Sequence, residues 1–502
     1  MRDTVAATRI GKVRGVAERS TFVFRGIPYA EPPVGPLRFR RPVPAQTWDG
    51  VRDCVEFGAA CPQVHGTTRG GLSGLASLGT ERMSEDCLVL NVWTPSLDDA
   101  RRPTMVWFHG GGAHGAGSAP AFDGSAFARD DVVLVTVNYR LGAFGFLYLD
   151  ELFDDASTTG NLGILDQVAA LRWVQENIAG FGGDPDNVTI FGESYGGMCV
   201  ASLLTTDEAR GFFRRAIVQS GPVQLVRSAA SARAASTRAL DLLGVDAGDW
   251  DAILDVPSER LAELGVRGQE VSEESTGSLA FWPVVDGVTR TDRPCQVLSQ
   301  GSAAGVDLLI GWCAEECKTF YAVPEMAERL SIDVGKLVAP TGVDAAAVSE
   351  LYRMSGRGET DRDLVIAMQS DAMFIGSAIR FADAGLAHHD RVFVWRLSWP
   401  SPALGGAFGA GHALDVPIVF ETPSVMLGDA VPPSLGEMHA SWVRFARTGD
   451  PNGGDLPSWP VYDVTRRPVM DFDAQNTVVD DPNPGERALW QGVDDSLGVS
   501  QG

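Results

Sequence analysis

The segment Phe191-Gly192-Glu193-Ser194-Tyr195-Gly196-Gly197 sets a serine between two glycines. A serine hydroxyl is a weak nucleophile until a base takes its proton, so the chemistry on offer is acyl transfer through a covalent intermediate. The Gly-x-Ser-x-Gly pattern directly follows an apolar run, Val188-Thr189-Ile190-Phe191, an order that fits a strand, a sharp turn carrying the serine, and a helix. With 57 glycines in 502 residues the pattern alone is weak. Its weight depends on whether the chain also supplies a base, a group to orient it, and donors for a developing oxyanion.

Four histidines follow Ser194: His388, His389, His412 and His439. In an open α/β sheet, functional groups gather beyond the carboxyl ends of the strands. His388 and His389 precede the apolar run 392–397 and so stand at its wrong end. His439, within Met438-His439-Ala440-Ser441-Trp442, reads as a packing or surface residue of a helix. His412 lies in the glycine-rich stretch 405–412 after that run and is the best base. An acid should follow another strand between Ser194 and His412. The run 306–310 leads into Gly311-Trp312-Cys313-Ala314-Glu315-Glu316, and spacing does not choose between the two glutamates. For the oxyanion, His109-Gly110-Gly111-Gly112 follows the run 104–108, and glycines let the backbone N–H groups approach a substrate. The N–H of Tyr195, next to the serine, adds another donor. A phosphate cradle is the competing reading of a glycine-rich loop, but no Gly-Lys-Ser/Thr ending or Gly-x-Gly-x-x-Gly helix opening is present at this point.

These residues need a frame. Apolar runs at 104–108, 132–137, 188–191, 216–219, 306–310 and 392–397 are near-continuous rather than alternating, as strands covered on both faces require. Ile164, Val168, Leu171, Val174 and Ile178 form one helical stripe, with Asn161 at its start and Phe181-Gly182-Gly183-Asp184-Pro185 as a stop. Strand, helix, strand and elbow make a βαβ unit. The N-terminal region reads as a small antiparallel edge sheet, with short strands at 11–15 and 21–24, followed by a proline-rich surface crossing. Residues 222–278 and 324–380 read as mainly helical insertions roofing the site. The expected architecture is an α/β-hydrolase fold in a single domain, 1–502, with a large, mostly parallel central sheet flanked by helices.

A formal charge of −24 argues against nucleic acid or an anionic membrane surface as partner. The N-terminal residues lack the apolar run of a signal peptide, and no stretch of about 18 apolar residues suggests a membrane span. A cytoplasmic location is the expectation. Seven cysteines leave at least one thiol unpaired within the chain.

At this level of detail the sequence resembles the type-B carboxylesterases, the family of bacterial p-nitrobenzyl-esterase-like enzymes, animal carboxylesterases and cholinesterases. The resemblance covers nearly the whole chain. It is carried by Arg25-Gly26-Ile27-Pro28-Tyr29-Ala30, Ser84-Glu85-Asp86-Cys87-Leu88, Asn91-Val92-Trp93-Thr94-Pro95, Asn138-Tyr139-Arg140-Leu141-Gly142, the stretch 161–194, Phe281-Trp282-Pro283-Val284-Val285-Asp286-Gly287 and Gly449-Asp450-Pro451-Asn452. It implies Glu316 as the catalytic acid, because the family pattern is similar to Gly-x-Asn-x-Asp-Glu-Gly with its second acid catalytic. It supports His412 through His412-Ala413-Leu414-Asp415-Val416-Pro417, and implies an oxyanion hole from Gly111, Gly112 and Tyr195. Two structural ion pairs are also implied, Arg38 with Glu85 and Arg140 with Asp166.

Some positions depart from the pattern. Tyr195 stands where alanine is usual, Ala113-His114 replaces an aromatic-led stretch, and Cys313 and Cys317 flank the acid in place of asparagine and glycine. No metal-ligand spacing accompanies those thiols, so they read as buried and free. Cys61 and Cys87 match the positions of a family disulfide, which a reducing cytoplasm would leave open and which keeps secretion in view. The loop they bound, including 66–74, is expected to be mobile near the entrance. It holds no Trp, Tyr or Phe, which argues against the cation–π capture of choline esters that the resemblance would otherwise imply.

The resulting expectation is a serine carboxylesterase acting on a small-molecule ester through Ser194, His412 and Glu316, with no cofactor or metal. The alternatives are a carbamate or amide hydrolase on the same triad, or a non-catalytic binding protein on the same fold.

Overall fold

The computed structural model describes residues 4–64, 82–112, 114–153, 159–272, 279–322, 327, 334–491 and 493. Among them an eleven-stranded sheet forms the centre. From one edge its strands are Thr477–Asp480, Pro468–Phe472, Val392–Leu397, Asp307–Cys313, Arg215–Gln219, Gly183–Glu193, Arg102–Phe108, Val133–Val137, Val89–Thr94, Thr21–Pro28 and Val16–Glu18. The strands from Pro468–Phe472 to Val133–Val137 pair in parallel, and antiparallel strands close both edges.

The near-continuous apolar runs have the cause expected of them: successive side chains point to opposite faces, and both faces are covered. Val106, Ile190, Ala216, Val218, Leu308 and Ile310 pack on one side with Ile164, Val168, Leu171, Met198 and Leu203. These last five belong to the helices Leu162–Asn177 and Tyr195–Leu204. Met105, Trp107, Phe191, Ile217 and Leu309 pack on the other with Met438, Trp442 and Phe445 of Gly436–Thr448.

All six expected strand positions are strands, with Val392–Leu397 at the expected limits and the others extended or trimmed at their ends. The strand Val89–Thr94 was not anticipated, although every residue of it is buried. The N-terminal region also differs in part. The small sheet holds Val5–Thr8, Gly11–Arg14 and Val51–Asp53, and the last of these pairs parallel to its neighbour. Thr21–Pro28 joins the large sheet instead, beside Val89–Thr94. The buried Asn91 amide ties these strands together. It accepts from the Gly26 N–H at 2.9 Å and donates to Thr136 Oγ1 at 3.0 Å.

The two insertions are mainly helical where described, including Ala229–Leu243, Ser258–Leu264, Ala345–Met354 and Asp361–Ser370, with a short strand at Arg227–Ser228. Residues 273–278, 324–326 and 328–333 of those expectations, and the loop 66–74, lie outside the described residues. The helical stretch Asp361–Gly385 has the length and apolarity of a membrane span, but most of it is buried in the fold.

The two expected ion pairs are present. Arg140 holds Asp166 bidentately at 2.7 and 2.8 Å, fully out of solvent. Arg38 grips Glu85 and also donates to the carbonyls of Leu254 and Val256 at 2.7 Å, fastening the first insertion to the N-terminal region. Cys61 and Cys87 lie side by side without a bond.

Candidate active site

Ser194 is the residue between the strand Gly183–Glu193 and the helix Tyr195–Leu204. Its backbone lies at φ 59°, ψ −123°, a region that costs a non-glycine residue of order 1–3 kcal/mol unless its surroundings fix it. Several contacts do so. The Ser194 N–H donates to the Gln219 carbonyl at 2.9 Å. A Cβ on Gly196 would stand 2.0 Å from the Phe108 carbonyl oxygen, and one on Gly192 would stand 2.6 Å from that same atom and from the Gly196 carbonyl. The turn therefore closes only with glycine at both positions.

Beyond the strand Asp307–Cys313, the Glu316 carboxylate accepts the Cys313 N–H at 2.8 Å and reaches His412 Nδ1 at 2.6 Å. The two residues also join through the backbone, where the His412 N–H donates to the Glu316 carbonyl at 3.0 Å. Thr319 Oγ1 donates to the His412 carbonyl at 3.1 Å. Phe320 and Phe374 pack on the imidazole with ring centroids 5.0 and 4.7 Å away. Phe374 belongs to a single π-helical turn, Asp371–Ile375.

Glu315, the other glutamate, faces elsewhere. It pairs with Lys318 at 2.7 Å and accepts the Ala410 N–H at 3.0 Å. The other three histidines that follow Ser194 are engaged away from this cluster. His388 and His389 bond the carbonyls of Ser299 and Val306 at the amino end of the strand Val392–Leu397. His439 is buried between the Val419 carbonyl and Asp130.

Two further carboxylates stand here that the sequence reasoning did not assign. Glu193 Oε1 lies 3.1 Å from His412 Nε2, yet neither atom has an aligned hydrogen-bond partner among the described residues. Asp415, three residues past His412, accepts from Gln219 Nε2 at 2.5 Å. Trp442 Nε1 in turn donates to Gln219 Oε1 at 3.0 Å. Gln219 thus holds the elbow with its backbone and Asp415 with its side chain. The signal was present in part, since Glu193 is inside the serine motif, but an acid in a motif gives no warning that it is buried.

The electrostatics follow from three carboxylates around one imidazole, all out of water. Burial pushes the Glu193 carboxyl up to about 8 against the pull of His412, and Asp415 up to about 6. Burial lowers His412, but Glu193 and Glu316 outweigh it and raise the imidazole to about 9. The two flanking thiols are buried, and burial raises both above the ordinary range.

Gly111 and Gly112 have φ of 94° and 65°, and the Gly111 carbonyl accepts the His114 N–H at 3.1 Å in a tight turn. Tyr139 Oη donates to the His109 carbonyl at 2.6 Å and anchors the start of this loop. Ala113 lies outside the described residues. Among the described residues no group accepts from the N–H of Gly111, Gly112 or Tyr195. The loop and the elbow touch, because a Cβ on Gly110 would stand 2.4 Å from the Glu193 carbonyl and 3.0 Å from Ser194 Cβ.

The profile of the carboxylesterase family matches residues 2–490. The chain belongs to the carboxylesterase family. It is 36% identical to the para-nitrobenzyl esterase of Bacillus subtilis (strain 168), over 97% of this chain and 98% of that relative. It is 35% identical to the phenmedipham hydrolase of Pseudarthrobacter oxydans, over 91% and 92% of the two chains. Among solved structures, a carboxylesterase of Geobacillus stearothermophilus superposes with a TM-score of 0.83 at 40% identity, covering 97% of this chain and 100% of that one. The α/β-hydrolase fold and the activity class follow: this carboxylesterase is a carboxylic ester hydrolase.

Proposed function

We propose that this carboxylesterase hydrolyses small, uncharged carboxylic esters through an acyl-enzyme on Ser194, with His412 as base and Glu316 as its orienting acid. The observation that carries the reading is the 2.6 Å contact between His412 Nδ1 and Glu316. With Nδ1–H committed to the carboxylate, Nε2 is the nitrogen left with a lone pair. Nε2 takes the Ser194 proton as the oxygen attacks the ester carbonyl. The N–H groups of Gly111, Gly112 and Tyr195 stabilise the oxyanion. Nε2 then returns the proton to the departing alcohol, and water repeats the sequence to release the acid. The imidazolium formed between steps lies between Glu316 and Glu193, in a site dry enough for their charges to count. Phe320 and Phe374 pack on the imidazole and Leu279 packs on the oxyanion loop, apolar surroundings that suit a neutral ester.

Turnover of p-nitrophenyl butyrate by purified Ser194→Ala tests this. A fall of about a thousandfold or more with an unchanged circular dichroism spectrum is expected. Activity within tenfold of wild type would assign the nucleophile elsewhere.

A further inference from the structure

Tyr195 offers its backbone N–H to the oxyanion, a task any residue at that position performs. Its side chain runs the other way and is 4% exposed. The ring lies nearly parallel to Trp282, with centroids 6.1 Å apart and planes at 23°, and meets Phe146 edge-on at 5.6 Å. The phenol donates to the Phe281 carbonyl in a long 3.4 Å bond. Both ring contacts have the geometry aromatic pairs favour. A bulky group beside the nucleophile therefore grips the segment 280–283 instead of filling the pocket.

That segment reaches back to the site. Its far end is fixed where Pro283 accepts the Arg227 N–H at 2.9 Å and the Val284 N–H donates to Asn161 Oδ1 at 2.8 Å. Its near end is Leu279, which closes over the glycine loop, since a Cβ on Gly112 would stand 2.6 Å from Leu279 Cδ2. Tyr195 holds the chain between that anchor and Leu279. In the reaction proposed above, the leaving alcohol must face His412 Nε2 to receive its proton, beside the imidazole on which Phe320 and Phe374 pack. Leu279 stands at the oxyanion loop, so with the alcohol turned toward His412 the acyl substituent is the group left to meet it.

We propose that Tyr195 is a positioning residue that holds Leu279 over Gly112 and thereby limits the size of the acyl group this carboxylesterase accepts. The inference rests on the ester-hydrolase reading. It predicts a specific pattern in p-nitrophenyl esters from acetate to octanoate, which share one leaving group. Tyr195→Ala and Leu279→Ala should each raise the octanoate-to-acetate ratio of kcat/KM by about tenfold or more, the size of effect that pocket methylenes produce. The double variant should show no more than the larger single effect, because both act through one side chain. Tyr195→Phe, which keeps the ring contacts, should retain the wild-type ratio. The pH profile of kcat/KM should be the same in all four, since none alters the charges around His412.

A wild-type ratio in folded Tyr195→Ala, or effects that multiply in the double variant, would overturn the proposal. If Tyr195→Ala fails to fold, Trp282→Leu removes the stacking partner without touching the elbow and must give the same rise, and no rise overturns it. A wild-type chain that turns over none of the series would instead sink the ester-hydrolase reading.

Discussion

Replacing Glu193 by glutamine removes one of the charges that hold the His412 proton. The distance between Glu193 Oε1 and His412 Nε2 is 3.1 Å. At that distance a unit charge is worth about 5 kcal/mol at an effective dielectric of 20 and about 1.3 kcal/mol in bulk water. Glu193, at about 8, is mostly ionised where His412 titrates near 9, so its charge counts there and the lower value is the least to be expected. At 1.36 kcal/mol per unit this is a shift of about one pH unit. Glu193→Gln should therefore move the acid limb of the kcat/KM profile by at least about one unit toward lower pH, away from the raised value of about 9 and toward the ordinary histidine range.

The same variant has a stability consequence with a definite sign. The folded Glu193 carboxyl binds its proton more tightly than the unfolded one between pH 4.5 and about 8, so it makes wild-type stability fall as pH rises through that window. The raised His412 adds stability below pH 6.5 that is lost as pH rises through about 9, which acts in the same direction. Urea denaturation should give a flatter pH dependence for Glu193→Gln between pH 5 and 8. An acid limb that stays in place or moves upward, or an unchanged stability slope, would refute the electrostatic account of this cluster.

Glu316→Gln keeps the shape of the acid but not its charge, and should lower kcat by about 10⁴ because His412 loses both its fixed tautomer and the stabilisation of its charged form; stopped assays at saturating ester measure it. Gly196→Ala would place a methyl 2.0 Å from the Phe108 carbonyl, so the elbow must open. Loss of activity together with about 3 kcal/mol or more of stability is expected by urea denaturation. Asp166→Asn leaves the Arg140 guanidinium without its countercharge in the core and should cost about 3–5 kcal/mol by the same method, with little change in kcat for the fraction that folds.

Much of the candidate site was legible because its chemistry dictates residue types at the ends of strands. The glycines at 110–112, 192 and 196 sit where a Cβ would collide or where φ is positive, and such positions betray themselves in sequence. His412 followed from the order of strand and loop. The choice of Glu316 over Glu315 did not. It depends on which carboxylate turns inward behind Cys313, and two adjacent glutamates look alike until the turn is built. The burial of Glu193 and Asp415 was illegible for a related reason: acids are mostly exposed, and nothing local shows that Gln219 and His412 stand opposite them. The direction of the Tyr195 ring depends on the strained Ser194 backbone and on a segment 86 residues away in sequence. In the fold, the helix 162–177 declared itself by its stripe. Thr21–Pro28 was recognisable in part as a strand, but its partner Val89–Thr94 is distant in sequence, so its sheet was not.

The central claim is that Ser194 carries the acyl group during turnover. Wild-type protein mixed with p-nitrophenyl butyrate, quenched in acid within the first turnovers and digested, can be read by peptide mass spectrometry. The account predicts a butyryl adduct on the peptide containing Ser194, formed with a burst of p-nitrophenol and absent from Ser194→Ala. Full turnover with no adduct under rapid quench, or an adduct on any other residue, would contradict it.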